Sequence, residues 1–140
     1  MPTPQRVQFS GAIEPLVQFI EDTPPSEILD RTLEKLRSGV PTQTMLTASA
    51  LAVTRSTDMP PGHHGGALHA LAGLYAVSKT VDRLQGEQRF VPVLQHVALA
   101  NKHINHPEMG PYQLLEFAPL DANKAKKTKT AFLKAVKRGK

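Results

Sequence analysis

Leu68, Leu71, Leu74, Tyr75, Ser78, Val81 and Leu84 recur three and four positions apart. That spacing lines one face of an α-helix and predicts a helix over 64–84. Small residues crowd the same stretch: Gly65, Gly66, Ala67, Ala70, Ala72, Gly73 and Ala76. A glycine inside a helix costs up to about 1 kcal/mol, so Gly73 suggests close approach by another helix or a ligand. A short turn at Gln85-Gly86-Glu87-Gln88 follows. A second helix is predicted over 90–105, with Pro92 tolerated in its first turn and Pro107 forcing the chain out of helix.

Upstream, Thr23-Pro24-Pro25-Ser26-Glu27 reads as a helix start, with Thr23 as cap and Pro24 in the first helical position. Ile28, Leu29, Thr32, Leu33 and Leu36 supply one face and Gly39 the stop, giving a helix over 24–38. Residues 42–56 lack turn formers and carry Met45, Leu46, Ala48, Ala52 and Val53, which favours a further helix. Pro2, Pro4, Gly11 and Pro15 mark residues 1–22 as extended or irregular, with a short strand around Val7 and Phe9. Asp121 is placed to cap a last helix over 122–138, where Phe132, Ala135 and Val136 make a narrow apolar stripe and Gly139 reads as a C-cap. The expected fold class is all-α: a single helical domain of about five helices, built around an antiparallel αα-hairpin (64–84 and 90–105), with an extended N-terminal segment.

The hairpin gives the histidines their meaning. About five residues join its helices, so they must be antiparallel neighbours. His69 lies fifteen residues before Leu84, and His103 thirteen after Phe90; at 1.5 Å per residue the two levels differ by roughly 3 Å. His63, His64, His69, His103 and His106 therefore fall at one end of the hairpin. His96 lies nearer the turn, at the level of Ser78, on a core-like pattern that suits a structural histidine. One feature opposes a preformed metal cage: His64 and His69 are five apart, which splays them by about 140° on an ideal helix.

Composition narrows the chemistry. The chain has 140 residues, enough for one core. It has no cysteine, which excludes disulfides, iron–sulfur clusters, thiolate zinc sites and c-type haem attachment. The polar start MPTPQRVQFS lacks the apolar core of a signal peptide, and no apolar run approaches the roughly 20 residues of a membrane span. A cytoplasmic location is the expectation. Charge is uneven. Residues 124–140 hold eight basic residues and no acidic one, whereas residues 1–123 hold nine basic against twelve acidic, a balance of −3. Such a tail suits an acidic partner, which could be nucleic acid, a membrane surface or the body itself. The organisation expected is a helical body over 1–123 and a basic C-terminal helix over 124–140, either part of the same domain or a docking element.

Histidine is the side chain best suited to bind a transition metal or move a proton near neutral pH. The leading expectation is a histidine-centred enzyme site, a metal-dependent oxidoreductase acting on a small molecule. His64, His69 and His103 are its candidate catalytic residues. His63, His64, His69, His103 and His106 are the candidate ligands of a transition metal, iron or zinc, with haem less favoured. Carboxylates lie close in sequence at Asp58 and Glu108, and Glu108 could complete the ligand set. Gly62, Gly65 and Gly66 would let a cofactor approach the backbone at a helix start, a ready anion site. Asn101 and Asn105 could orient substrate. The alternative is non-enzymatic: a basic helical module that binds nucleic acid or an acidic protein partner through 122–140, using Lys126, Lys127, Lys129, Lys134, Lys137 and Arg138. Against nucleic acid, that tail offers seven Lys, one Arg and a single aromatic. A fragment or subunit of a larger cofactor-binding protein, docked on a partner or on copies of itself, is a further reading. Each histidine also has a plain structural reading: His63 and His64 as solvated cap residues, His69 as a satisfied partly buried ring, His103 and His106 as partners of a helix C-terminus. No Walker A, GxGxxG, HExxH, zinc-finger or nucleophile-elbow motif is present.

Overall fold

The computed structural model describes residues 5–59, 69–116 and 122–138. Seven α-helices and no strand occur among them. They are α1 (Glu14–Asp22), α2 (Ile28–Arg37), α3 (Thr42–Ser56), α4 (His69–Ala72), α5 (Leu74–Arg83), α6 (Phe90–Ile104) and α7 (Ala122–Lys137). The chain divides into two compact units, one of residues 6–114 and a smaller one of 1–5 with 115–140.

In the larger unit α3 and α6 are the central helices. α3 buries Met45, Leu46, Ala48, Ser49, Ala52, Val53, Arg55 and Ser56, so it is enclosed on more than one side; its alanines and serines keep it thin enough for α1 and α6 to pack against it. α6 buries Val93, Val97, Ala100 and Ile104 on the facing side. Val17 and Ile20 of α1, Ile28 and Leu36 of α2 and Val81 of α5 complete the core. Full burial of each such side chain is worth about 1.5–3 kcal/mol.

The N-terminal expectation needs correction. Residues 14–22 are not irregular but form α1, preceded by a 3-10 turn at Gly11–Ile13. Pro15 stands in the first turn, where a missing N–H costs nothing, and Val17 and Ile20 are the buried positions. No strand forms at Val7 and Phe9. The helix expected over 24–38 becomes regular only at Ile28. Thr23 is extended, as the residue before a proline prefers, and its hydroxyl donates backward to the Phe19 carbonyl. It closes α1 rather than capping α2. Gly39, at φ +102°, ends the segment in the left-handed conformation that glycine adopts cheaply.

The helix expected over 64–84 is divided into α4 and α5 at Gly73. A Cβ added at Gly73 would meet only the carbonyl of His69 among the described residues, at 3.2 Å; the approach of another helix, one of the two expected reasons for this glycine, is not found among them. The start of that predicted helix, residues 64–68, lies outside the described residues, as do Asp121 and Gly139. Residues 42–56 and 90–104 are helical as the pattern predicts.

An ion-pair cluster ties α1 to α3. Arg55 is fully buried. Its guanidinium donates to Glu14 at 2.7 Å, to Glu21 at 2.7 Å and to the Val7 carbonyl at 3.0 Å, and it lies over the Phe9 ring, 4.9 Å from its centroid. Arg6 pairs with Glu21 and reaches the Ser56 hydroxyl. Two cations and two carboxylates balance, which is what allows them under the surface.

Candidate functional site

α6 carries two histidines, His96 and His103, into different surroundings, and His106 follows in the turn beyond it. His96 is wholly structural in its bonding. Its Nε2 lies 2.7 Å from the Ala70 carbonyl and its Nδ1 2.6 Å from the Ser49 hydroxyl. A carbonyl only accepts, so Nε2 carries the hydrogen and Nδ1 accepts from Ser49. Burial pushes its pKa below the ordinary imidazole range, against the raising effect of the Ala70 bond. The ring is a neutral strut joining α3, α4 and α6. The level expected for it, beside Ser78, is corrected: it reaches Ala70, well toward the far end of the helix pair.

His103 sits in the last turn of α6 and is more than nine-tenths buried. A helix C-terminus favours a protonated histidine, yet here desolvation prevails. Burial pushes the His103 imidazole down, and the charges of His69, Lys102 and His106 push the same way. The ring is therefore neutral near neutral pH. Its Nδ1 is buried and has no hydrogen-bond partner among the described residues, although a buried polar atom left unpaired typically costs 1–3 kcal/mol, by the order of magnitude.

His69 opens α4 and is exposed. Because its charge acts on His103, the two rings share one end of the unit. His106 follows α6 in a turn: its N–H donates to the His103 carbonyl, and Met109 and Gly110 donate to its own carbonyl. The His106 Nδ1 accepts the Glu108 N–H at 3.1 Å. That bond puts the ring hydrogen on Nε2, so a metal could bind there only if the turn gave up the bond. The loop beyond is stitched to the end of α3 through Asp58 N–H to Met109 O, Tyr112 N–H to Ser56 O and Leu114 N–H to Arg55 O, at 2.8–2.9 Å.

The carboxylates and amides near this end have local duties. Asp58 accepts the N–H of Met59 at 2.8 Å. Asn101, expected to face substrate, is buried and donates to the carbonyls of Ile20 and Thr23 at 2.8 and 2.9 Å; it clamps the end of α1. The side chain of Asn105 bonds the Asn101 carbonyl. Among the described residues no three His, Asp or Glu side chains are grouped as a metal site requires. Gly62, His63, His64, Gly65 and Gly66 lie outside the described residues. A groove of about 260 Å³ elsewhere, between α3 and α5, is lined by Gln43, Leu46, Thr47, Leu74, Tyr75 and Ser78 and includes no histidine.

Two residues that matter were not anticipated. Arg55 shares the buried side of α3 with Met45, Ala48 and Ala52, and a cation on an apolar helix face is the signal that would have found it. Ser49 has no such signal, since a serine among alanines is ordinary.

In the smaller unit, every described side chain from Lys127 to Arg138 on α7 is exposed, including Lys127, Lys129, Lys134, Lys137 and Arg138. The side chain of Lys126 lies outside the described residues. No helix among the described residues is long and apolar enough to cross a membrane. Comparison with protein-family models, curated proteins and solved structures returned no match.

Proposed function

We propose that His103 and His69 are the core of a histidine-based enzyme site acting on a small molecule, with a transition metal, iron or zinc, as its cofactor. The observation that carries this reading is the state of His103. It is neutral, nearly enclosed, and holds a ring nitrogen that no described residue satisfies. A neutral imidazole with an uncommitted lone pair is what a metal ligand or a general base must be.

The fit to a metal rests on too few described donors, because two imidazoles do not make a site. His63 and His64 are the proposed remaining ligands. They stand in sequence between Asp58, whose N–H donates to the Met109 carbonyl, and Ala70, whose carbonyl accepts from His96. His106 holds its turn through Nδ1 and takes the outer position in this reading, with Glu108 beside it in sequence. A bound metal would supply Lewis acidity, and iron also a change of oxidation state. His103 would hold its lone pair toward the metal or, without one, take up a proton.

Metal analysis of protein purified without a histidine tag tests the reading. Stoichiometric iron or zinc that is lost in His103→Ala supports it. Absence of stoichiometric metal, with stability unchanged on chelation, overturns it.

A partner-docking role for the basic helix is a second, independent reading. The exposed side chains of α7 favour it.

A further inference from the structure

Helix α7 holds an apolar stripe in water. Phe132, Leu133 and Val136 are 66%, 48% and 58% exposed, and their spacing puts them on one side of the helix. Lysine fills the rest. Lys127, Lys134 and Arg138 fall on the opposite side and Lys137 on the flank, and no acidic residue occurs from 122 onward.

Two requirements select what covers such a helix. The cations need a negative surface, and the stripe needs an apolar phase. Nucleic acid meets the first and not the second, because a phosphate backbone gives Phe132, Leu133 and Val136 nothing to enter. Reading single strands by stacking calls for aromatics and arginine, and α7 has a single aromatic, with one arginine, Arg138, just past its end. A bilayer with anionic headgroups meets both requirements in one plane, with acyl chains directly beneath a negative layer. Lysine suits that geometry, since its stem can lie along the apolar layer while its ammonium stays in the headgroups. Lys129 falls within the stripe's own arc, about one turn before Phe132 and Leu133, so its stem would lie along the apolar layer while its ammonium reaches out past the end of the stripe.

We propose that α7 is an interfacial helix that lies flat on an anionic membrane surface, with Phe132, Leu133 and Val136 toward the acyl chains and Lys127, Lys134, Lys137 and Arg138 among the headgroups. At 1.5 Å per residue it covers roughly 24 Å of surface. Three large apolar side chains bind weakly by themselves, so adhesion requires the charges. Each cation near an anionic leaflet multiplies partitioning on the order of fivefold. The inference is independent of the histidine site.

Co-sedimentation of the full chain with vesicles tests it, using phosphatidylcholine alone and phosphatidylcholine mixed with phosphatidylglycerol. Binding to the mixed vesicles only, weakening steeply with salt, is expected. Phe132→Gln with Val136→Gln, and separately Lys134→Gln with Lys137→Gln, should each weaken it by about tenfold or more. The chain has no tryptophan, so Phe132→Trp gives a single reporter whose emission should shift to the blue on the mixed vesicles. Failure to bind mixed vesicles overturns the proposal. So does a stripe variant that binds as well as the parent, or a duplex oligonucleotide bound more tightly than the vesicles and indifferent to the stripe; that last result assigns α7 to nucleic acid.

Discussion

The imidazole of His96 donates its Nε2 hydrogen to the carbonyl of Ala70 across 2.7 Å, one residue beyond His69. A core histidine of α6 thus fixes the short helix that carries a residue of the candidate site. His96→Leu removes the donor, strands the Ala70 carbonyl and leaves the Ser49 hydroxyl only the Leu46 carbonyl, at 2.9 Å. It should destabilise the fold by about 2–4 kcal/mol. His96→Gln retains a donor for Ala70 and should cost less than half as much. Chemical denaturation of the two variants checks the order; equal losses would mean that the Ala70 bond contributes little.

Acidification should weaken the fold in a particular window. Burial depresses the pKa of His96, and burial with neighbouring charge depresses that of His103. The unfolded chain therefore binds protons first. The stability these rings contribute is complete above the unfolded value of about 6.5 and is lost as pH falls from there through the depressed folded values. Unfolding midpoints measured at pH 7.5 and 5.5, by convention of the experiment, should fall on acidification, and His96→Gln should flatten the slope. Glu14 acts lower on the scale. Burial raises its pKa, but the Phe9 N–H and the bonds from Arg55 and Gln18 outweigh this and leave it lowered. Its contribution is present above about pH 4.3 and disappears below that.

Arg55→Ala takes from Glu14 its one cation among the described residues, leaving it the Phe9 N–H and Gln18, and leaves Glu21 with Arg6 and the Ser56 hydroxyl. A loss of about 3–5 kcal/mol is expected, or a fall in Tm of roughly 12–20 °C. A calorimetric melt that moves by only a degree or two would show that the cluster is a bystander.

Gly110 has no room for a side chain. A Cβ there would stand 2.1 Å from the Ile104 carbonyl oxygen, a backbone atom at the end of α6 that cannot turn aside. Gly110→Ala should cost about 3 kcal/mol and should disturb the turn that holds His106. The amide resonances of residues 104–110 would register the change.

The helices that bury the core were legible because their apolar spacing and their stops agree. α3 follows the uninterrupted run from Thr42 to Ser56, and α6 ends just before Asn105, ahead of Pro107. α1 was illegible because Gly11 and Pro15 read as breakers, whereas Pro15 stands where a helix tolerates it. The Arg55 cluster could not be read at all: its members are 34 and 41 positions apart in sequence, and only packing of α1 on α3 brings them together. At the candidate site, antiparallel geometry was the reason to expect His69 and His103 together, and the charge of His69 acts on the His103 ring. The turn bond of His106 and the clamp made by Asn101 did not, because both depend on backbone groups whose positions no periodicity encodes.

Nitrogen-15 NMR of the imidazole rings, with zinc added to tag-free protein, tests the central claim most directly. The predicted result is a large shift of the His103 and His69 ring nitrogens that saturates at one equivalent, with His96 unmoved between Ser49 and Ala70. Rings of His103 and His69 that stay unchanged through several equivalents would contradict the proposed site.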